Sequence, residues 1–179
     1  MTDRDLQQKR YLAAGIDIAV LLAIGILFLV VGAILGFAFS SAGSTSLVGV
    51  YLPRVVAFLG ALVSLGYVLG RDVVAGDRSI GKQTQGLKVV TATGAPIGFM
   101  ESARRNAIFA IGSALHVISA TLGLVPCLGA AVNCLLLPLY ILGGLVSLGA
   151  GIYEILQITQ QPDGARYGDK MAGTRVVRG

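Results

Sequence analysis

The fold is decided by Lys9-Arg10-Tyr11-Leu12-Ala13-Ala14-Gly15-Ile16-Asp17, which runs directly into the uncharged apolar block 18–39. A helix needs about 20 apolar residues to cross a bilayer, so this block predicts a membrane helix with Asp17 just inside its hydrocarbon edge. Burying an ionised carboxylate there costs on the order of 2–3 kcal/mol. Asp17 therefore needs a basic partner, a proton or a wet cavity. Arg10 lies two helical turns earlier on the same face.

The composition extends this conclusion to the whole chain. Hydrophobic residues make up 55% of the sequence and charged residues 13%, a balance that few soluble domains have. The apolar segments predict four membrane helices, at about 11–39, 52–71, 104–125 and 131–158. The first apolar run exceeds a signal-peptide core and indicates an anchor. We expect one all-α membrane domain over 1–179, a four-helix bundle with a connecting loop at about 72–103 and a tail from about 159.

The basic residues predict the orientation of this bundle. All 14 Lys and Arg residues except Arg54 lie in the N-terminal tail, the second-to-third connection or the C-terminal tail. By the positive-inside rule, both termini and the long connection are cytoplasmic, in a multi-pass protein of a bacterial cytoplasmic (inner) membrane. The net charge of +5 then reflects topology and anionic head groups, and does not indicate a nucleic-acid partner.

The long connection has the composition of a small β-element. Residues 86–92 are strand-like and 93–96 have turn chemistry, which predicts a hairpin with 97–99. Residues 81–90 also align with 168–177, since both glycines and both valines coincide. This alignment favours a second arrangement, in which the two Val-Val stretches pair in one cytoplasmic sheet. The chain would then consist of two parallel-topology halves related by an axis along the membrane normal.

Several charged residues are candidates for a cluster around Asp17: Arg10, Arg104, Arg105 and Glu154. One hypothesis is a cation or proton site at the cytoplasmic mouth of the bundle. The other is a set of ion pairs that only fixes helix packing. A hard-cation site built on Asp17 and Glu154 would need further oxygen ligands.

The third helix carries a second candidate, a proton path. Ser113 and Ser119 flank His116, the only histidine, on one helical face. Imidazole titrates near neutral pH, so these residues could relay protons. The alternative is a neutral histidine bonded to a neighbouring helix.

Two cysteines, Cys127 and Cys134, lie at the turn predicted on the non-cytoplasmic side. They either form a disulfide in an oxidising compartment or remain two free thiols. One histidine and two cysteines are too few for a metal centre, so no metal or other cofactor is expected. Gly76 to Lys82 has the spacing of a phosphate loop, but Gln83 stands where Ser or Thr would hold magnesium. Because no nucleophile–base–acid set is present either, we do not expect an enzyme.

The spacing Arg10-x-x-Ala13-x-x-x-Asp17 resembles the opening of the RDD family of small prokaryotic membrane proteins. The stretches 81–90, 104–106 and 169–177 are similar to that family's later motifs. The resemblance implies a transporter-like protein, with monovalent cation/proton exchange as its suggested activity and Asp17 as the charge-bearing residue. A non-catalytic accessory or assembly subunit of a larger membrane complex is the alternative. Beyond the lipid bilayer, the sequence leaves open whether the partner is a second copy or another protein.

Overall fold

The structure is a computed structural model that describes residues 3–41, 47–125, 129–160 and 165–179. The described elements follow in chain order: α1 (Asp3–Ser41), α2 (Leu47–Gly70), α3 (Ile80–Thr84), β1 (Leu87–Thr91), α4 (Phe99–Gly123), α5 (Gly129–Gln160), α6 (Tyr167–Ala172) and β2 (Thr174–Arg178). Four of them, α1, α2, α4 and α5, are long and apolar enough to cross a membrane. The four predicted membrane helices are therefore confirmed, although α1 begins well before residue 11.

The long helices pack in a row, α1 on α2, α2 on α4 and α4 on α5. Their outer faces are apolar, and large side chains such as Leu29 and Phe37 are 71% and 76% exposed. An apolar surface of this kind is solvated by lipid tails. The row leaves α1 and α5 at its two ends, without extensive contact between them among the described residues.

The two strands form an antiparallel pair with Val89 opposite Val176. This confirms the predicted pairing of the two Val-Val stretches. The predicted hairpin between 86–92 and 97–99 is wrong, since that segment adds only a bridge between Val90 and Pro96. The free edge of β1 is occupied by the connection itself, because the Val89 amide donates to the Asp77 carbonyl at 2.7 Å. Proline has no amide hydrogen with which to extend a ladder.

A small apolar core lies between this sheet and the first turns of α1. It contains Ala13, Leu87, Val89, Ile97 and Val176. We call this part of the molecule the sheet end. Both ends of the chain meet there, because Arg178 forms an ion pair with Asp5 at 3.3 Å. The cytoplasmic orientation of the sheet end and the relation of the two halves as a repeat stay predictions.

Candidate functional site

Asp17 anchors the short helix α3 to α1. The side chain is only 3% exposed. Its Oδ2 accepts a hydrogen bond from the Ser79 hydroxyl at 2.6 Å, and its Oδ1 accepts from the Gly81 amide at 2.8 Å and from the Tyr67 hydroxyl at 3.4 Å. Ser79 is the N-cap of α3. The carboxylate thus lies at the N-terminus of a helix, where the helix dipole stabilises negative charge.

Glu154 makes the corresponding contact with α6. Its Oε1 accepts from the Gly168 amide at 3.4 Å, and its Oε2 accepts from Arg166 Nη1 at 2.8 Å. Gly168 lies so close to α4 that an added Cβ would be 2.3 Å from the Arg105 carbonyl oxygen, and a Cβ added to Gly81 would be 2.0 Å from the Ala13 carbonyl oxygen. The two glycines that align in the sequence therefore both hold a short helix against a membrane helix and beside a carboxylate.

Two further acids, Asp72 and Asp169, are fully buried and are joined by Arg105. Arg105 Nε lies 3.2 Å from Asp72 Oδ2, and its Nη2 lies 2.7 Å from Asp169 Oδ1. Asp72 also contacts Lys82 Nζ, and Asp169 lies 3.3 Å from Arg10 Nη2. Arg105 thus links α4 both to the segment that follows α2, through Asp72, and to α6, through Asp169.

The charged side chains of these contacts, together with neighbouring ones, form a single layer at the sheet end, which we call the charged layer. Its members are Arg10, Asp17, Arg71, Asp72, Lys82, Arg105, Glu154, Arg166 and Asp169. Five of them are bases and four are acids, so the fully ionised layer carries one excess positive charge. Arg71 is held by its Nε, which donates to Asn106 Oδ1 at 2.9 Å.

Burial changes the ionisation of the layer outside the membrane helices. It lowers the pKa of Lys82 from 10.5 to about 7, against the opposing effect of Asp72. For Asp169, burial alone would raise the pKa, but Arg105 and Arg166 outweigh it and the pKa of the carboxyl is lowered. Asp169 is therefore ionised at neutral pH, whereas Lys82 lies close to its titration point.

A cavity of about 450 Å³ lies beside the charged layer, between α1 and α5. Its charged wall consists of five bases and two acids: Arg10, Arg71, Lys82, Arg105, Arg166, Asp17 and Glu154. The remaining wall is mostly apolar and includes Ile18, Phe109, Leu148 and Ile152. The volume falls within the range of about 300–1,000 Å³ that is typical of small-molecule sites.

Four residues of the cavity wall have buried polar atoms without a hydrogen-bond partner in the described part of the chain. These atoms are Tyr11 Oη, Arg105 Nη1, Ser147 Oγ and Arg166 Nη2. The Arg105 atoms Nε and Nη2 are at ion-pair distance from Asp72 and Asp169, yet are not aligned for hydrogen bonds. Since most buried polar groups are paired, these atoms require partners inside the cavity, which water or a bound ligand would supply.

The structure brings most of the predicted cluster together. Asp17, Arg10, Arg105 and Glu154 all line the cavity. Arg104 is exposed and does not belong to the cavity wall. The ion pair of Arg10 is with Asp169, while the partners of Asp17 are hydroxyl and amide groups.

The predicted proton path lies away from this cavity. His116 is exposed, Ser113 is half-buried and Ser119 is buried, and none of the three lines the cavity wall. Cys134 is exposed and has no disulfide among the described residues, whereas Cys127 lies outside them. The proton path and the disulfide therefore stay predictions.

Sequence reasoning did not select five members of the charged layer as site residues: Arg71, Asp72, Lys82, Arg166 and Asp169. A signal for two of them was present, because Lys82 and Asp169 occupy the same position in the aligned stretches 81–90 and 168–177. Asp72 follows the second apolar segment directly, at the membrane edge, as Asp17 precedes the first. An acid in that place needs compensation for the same physical reason.

The model of the RDD family matches residues 7–173. The chain belongs to the RDD family. The match covers nearly all of this RDD-family protein and contains every member of the charged layer, which confirms the resemblance that its motifs indicate. No curated protein and no solved structure matches the chain.

Proposed function

We propose that this RDD-family protein is a transporter-like membrane protein whose solute site is the cavity beside the charged layer, and that the solute is an anion. The observation that carries the proposal is the charge of the wall, five bases against two acids. When Lys82 is protonated, Asp72 and Asp169 bring the layer to one excess positive charge. One bound negative charge would neutralise that excess, which is costly to leave unpaired in a buried place.

The chemistry of the free donors supports the same class of solute. Arg105 and Arg166 supply guanidinium groups, which recognise carboxylate and phosphate oxygens through paired N–H donors. The hydroxyls of Tyr11 and Ser147 could donate to the same group. A cavity that reaches Asp17 also favours a transporter over an accessory subunit, which needs only a dry, packed core.

Monovalent cation/proton exchange is the second candidate. It is supported by the position of Asp17 and Glu154, two membrane-edge carboxylates that line the same cavity. A cation bound there would compete with the Gly81 amide for Asp17 and with Arg166 for Glu154. The proposal of an anion does not require these contacts to break.

The two candidates predict different fluxes in proteoliposomes. The probes are labelled phosphate and acetate as anions, and labelled sodium and rubidium as cations. Gly151 lines the cavity, and a Cβ added there meets nothing within 4 Å, so Gly151→Leu fills the cavity without a steric clash in the backbone. Gly149 has equally open surroundings on the same helix but is not part of the wall, so Gly149→Leu is the matched control.

We expect anion flux in the wild type and in Gly149→Leu, and flux at the level of empty vesicles in Gly151→Leu. Sodium or rubidium flux that is coupled to protons and lost in Asp17→Asn would support cation exchange and contradict the anion proposal. Flux of neither class above empty vesicles would remove transport and leave the accessory subunit.

A further inference from the structure

We propose that the cavity holds the head group of an anionic phospholipid from the surrounding leaflet, with an acyl chain leaving between α1 and α5. The inference rests on the anion site of the proposed function, but it does not need transport. It follows from the shape of the opening, the depth of the bases and the charge of the layer.

The apolar wall of the cavity reaches the exposed surfaces of α1 and α5. Most of its apolar wall comes from α1 and α5, the two ends of the helix row, which do not pack extensively on each other in the described part of the chain. Ile18 on α1 and Leu148 and Ile152 on α5 line it, and they are 57%, 62% and 52% exposed. The apolar wall is therefore continuous with the surface that faces lipid tails, and a chain can enter without crossing a polar barrier.

The bases lie at the depth of a lipid phosphate. Arg10 precedes the uncharged segment of α1 by two turns, and Arg105 lies in the second turn of α4. Both groups are thus at the polar edge of a membrane helix, with hydrocarbon on one side and the sheet on the other. Basic pockets between membrane helices at this depth are known to bind acidic lipid head groups.

The charge of the layer favours an acidic lipid over a zwitterionic one. A phosphodiester carries one negative charge, which equals the excess of the five bases over the four acids. The quaternary ammonium of a choline lipid would add a cation to a wall that already holds five bases. We expect a preference of about fivefold for the acidic lipid, corresponding to about 1 kcal/mol for one additional favourable charge contact.

The absence of tryptophan from the sequence permits a direct test of occupancy. Phe109 lines the cavity, and its ring lies 5.5 Å from the Arg71 guanidinium, a contact that a tryptophan ring preserves. Phe109→Trp therefore places the only tryptophan of the chain at the site, where it can be excited selectively over the tyrosines. Phe37→Trp places one on the lipid-facing surface of α1, away from the cavity, as the control.

Both variants are placed in phosphatidylcholine vesicles that contain a minor fraction of either brominated phosphatidylglycerol or brominated phosphatidylcholine. Bromine quenches tryptophan on contact. We expect the Phe109→Trp emission to be quenched saturably and about fivefold more by the acidic lipid, and the Phe37→Trp emission to be quenched equally by both lipids. Adding Gly151→Leu should remove the selectivity, and adding Gly149→Leu should preserve it.

Equal quenching of Phe109→Trp by brominated phosphatidylglycerol and brominated phosphatidylcholine overturns the inference. Should the tryptophan variant not fold, native mass spectrometry of the wild type decides the question: retained acidic phospholipid that is lost in Gly151→Leu supports the inference, and its absence overturns it. Small-anion flux without lipid selectivity contradicts only this inference, whereas lipid selectivity without any flux contradicts only the transport proposal.

Discussion

Arg105 Nη2 lies 2.7 Å from Asp169 Oδ1, and both side chains are completely buried. This contact joins a membrane helix to the short helix α6. The same guanidinium reaches Asp72, so one side chain connects the two acids of the charged layer. Breaking a buried ion pair from one side is strongly destabilising, and removing Arg105 would take one buried partner from each of two acids.

We expect Arg105→Gln to lower the free energy of unfolding by about 3–5 kcal/mol, because Asp72 and Asp169 both lose a buried partner. Arg104→Gln is the matched control. Arg104 is the preceding residue and is exposed, so its replacement should change stability by no more than about 0.5 kcal/mol. Thermal unfolding in detergent micelles measures both. Similar losses in the two variants would contradict the central place of Arg105.

We expect Gly81→Ala and Gly168→Ala to destabilise the protein by about 1–3 kcal/mol each, as overpacking usually does. The added methyl groups would lie 2.0 Å and 2.3 Å from backbone carbonyl oxygens, which cannot move away as a side chain can. Gly149→Ala, where a Cβ meets nothing within 4 Å, should be neutral or slightly stabilising. The melting temperatures of the three variants test this, and tolerance of alanine at position 81 would show that α3 does not need its close approach to α1.

Stability should rise with pH through Lys82 between about pH 7 and pH 10.5. Burial lowers the pKa of this residue from 10.5 to about 7, so in that window the unfolded chain binds more protons than the folded one, and raising the pH favours the folded state. Below pH 7 both states hold the proton and this contribution to the slope disappears. Melting temperatures across the window, compared among wild type, Lys82→Met and the exposed-site variant Lys170→Met, measure it. Only Lys82→Met should flatten the curve, and an unchanged slope would refute the assignment.

Labelling of single cysteines tests the predicted orientation. Gln83 is exposed at the sheet end, and Val125 is exposed beyond the other end of α4. In a background without Cys127 and Cys134, we expect a membrane-impermeant thiol reagent added to intact cells to label Val125→Cys and to spare Gln83→Cys. Permeabilised cells should give labelling of both. Reaction of Gln83→Cys in intact cells would reverse the orientation of the bundle.

The membrane part of the fold follows from local patterns. Long apolar runs give the four helices, and the coincidence of the Val-Val stretches gives the sheet even though β1 and β2 are far apart in the chain. The hairpin prediction failed because composition alone does not reveal that the Asp77 carbonyl occupies the edge of β1. A backbone contact of this kind depends on how the whole connection folds.

The site was less predictable than the helices, because its contacts also depend on how the connection between α2 and α4 folds. The energetic argument at Asp17 led to Arg10, Arg105 and Glu154, which line the same cavity as Asp17. It did not lead to the hydroxyl and amide donors that hold Asp17, because Ser79 and Gly81 come near it only after α3 has docked. Arg104 and Arg105 could not be distinguished either, since adjacent residues at a predicted helix start leave its rotation undetermined.

Asp169 pairs with Arg10 of α1 and Arg105 of α4, yet it is synthesised after all four membrane helices. While the nascent chain is still on the ribosome, Arg10 and Arg105 therefore lack one of their buried carboxylate partners. The first helix cannot reach its final surroundings before translation has passed α6. A chain released before residue 169 would lack this carboxylate, so the charged layer is complete only once α6 has been made.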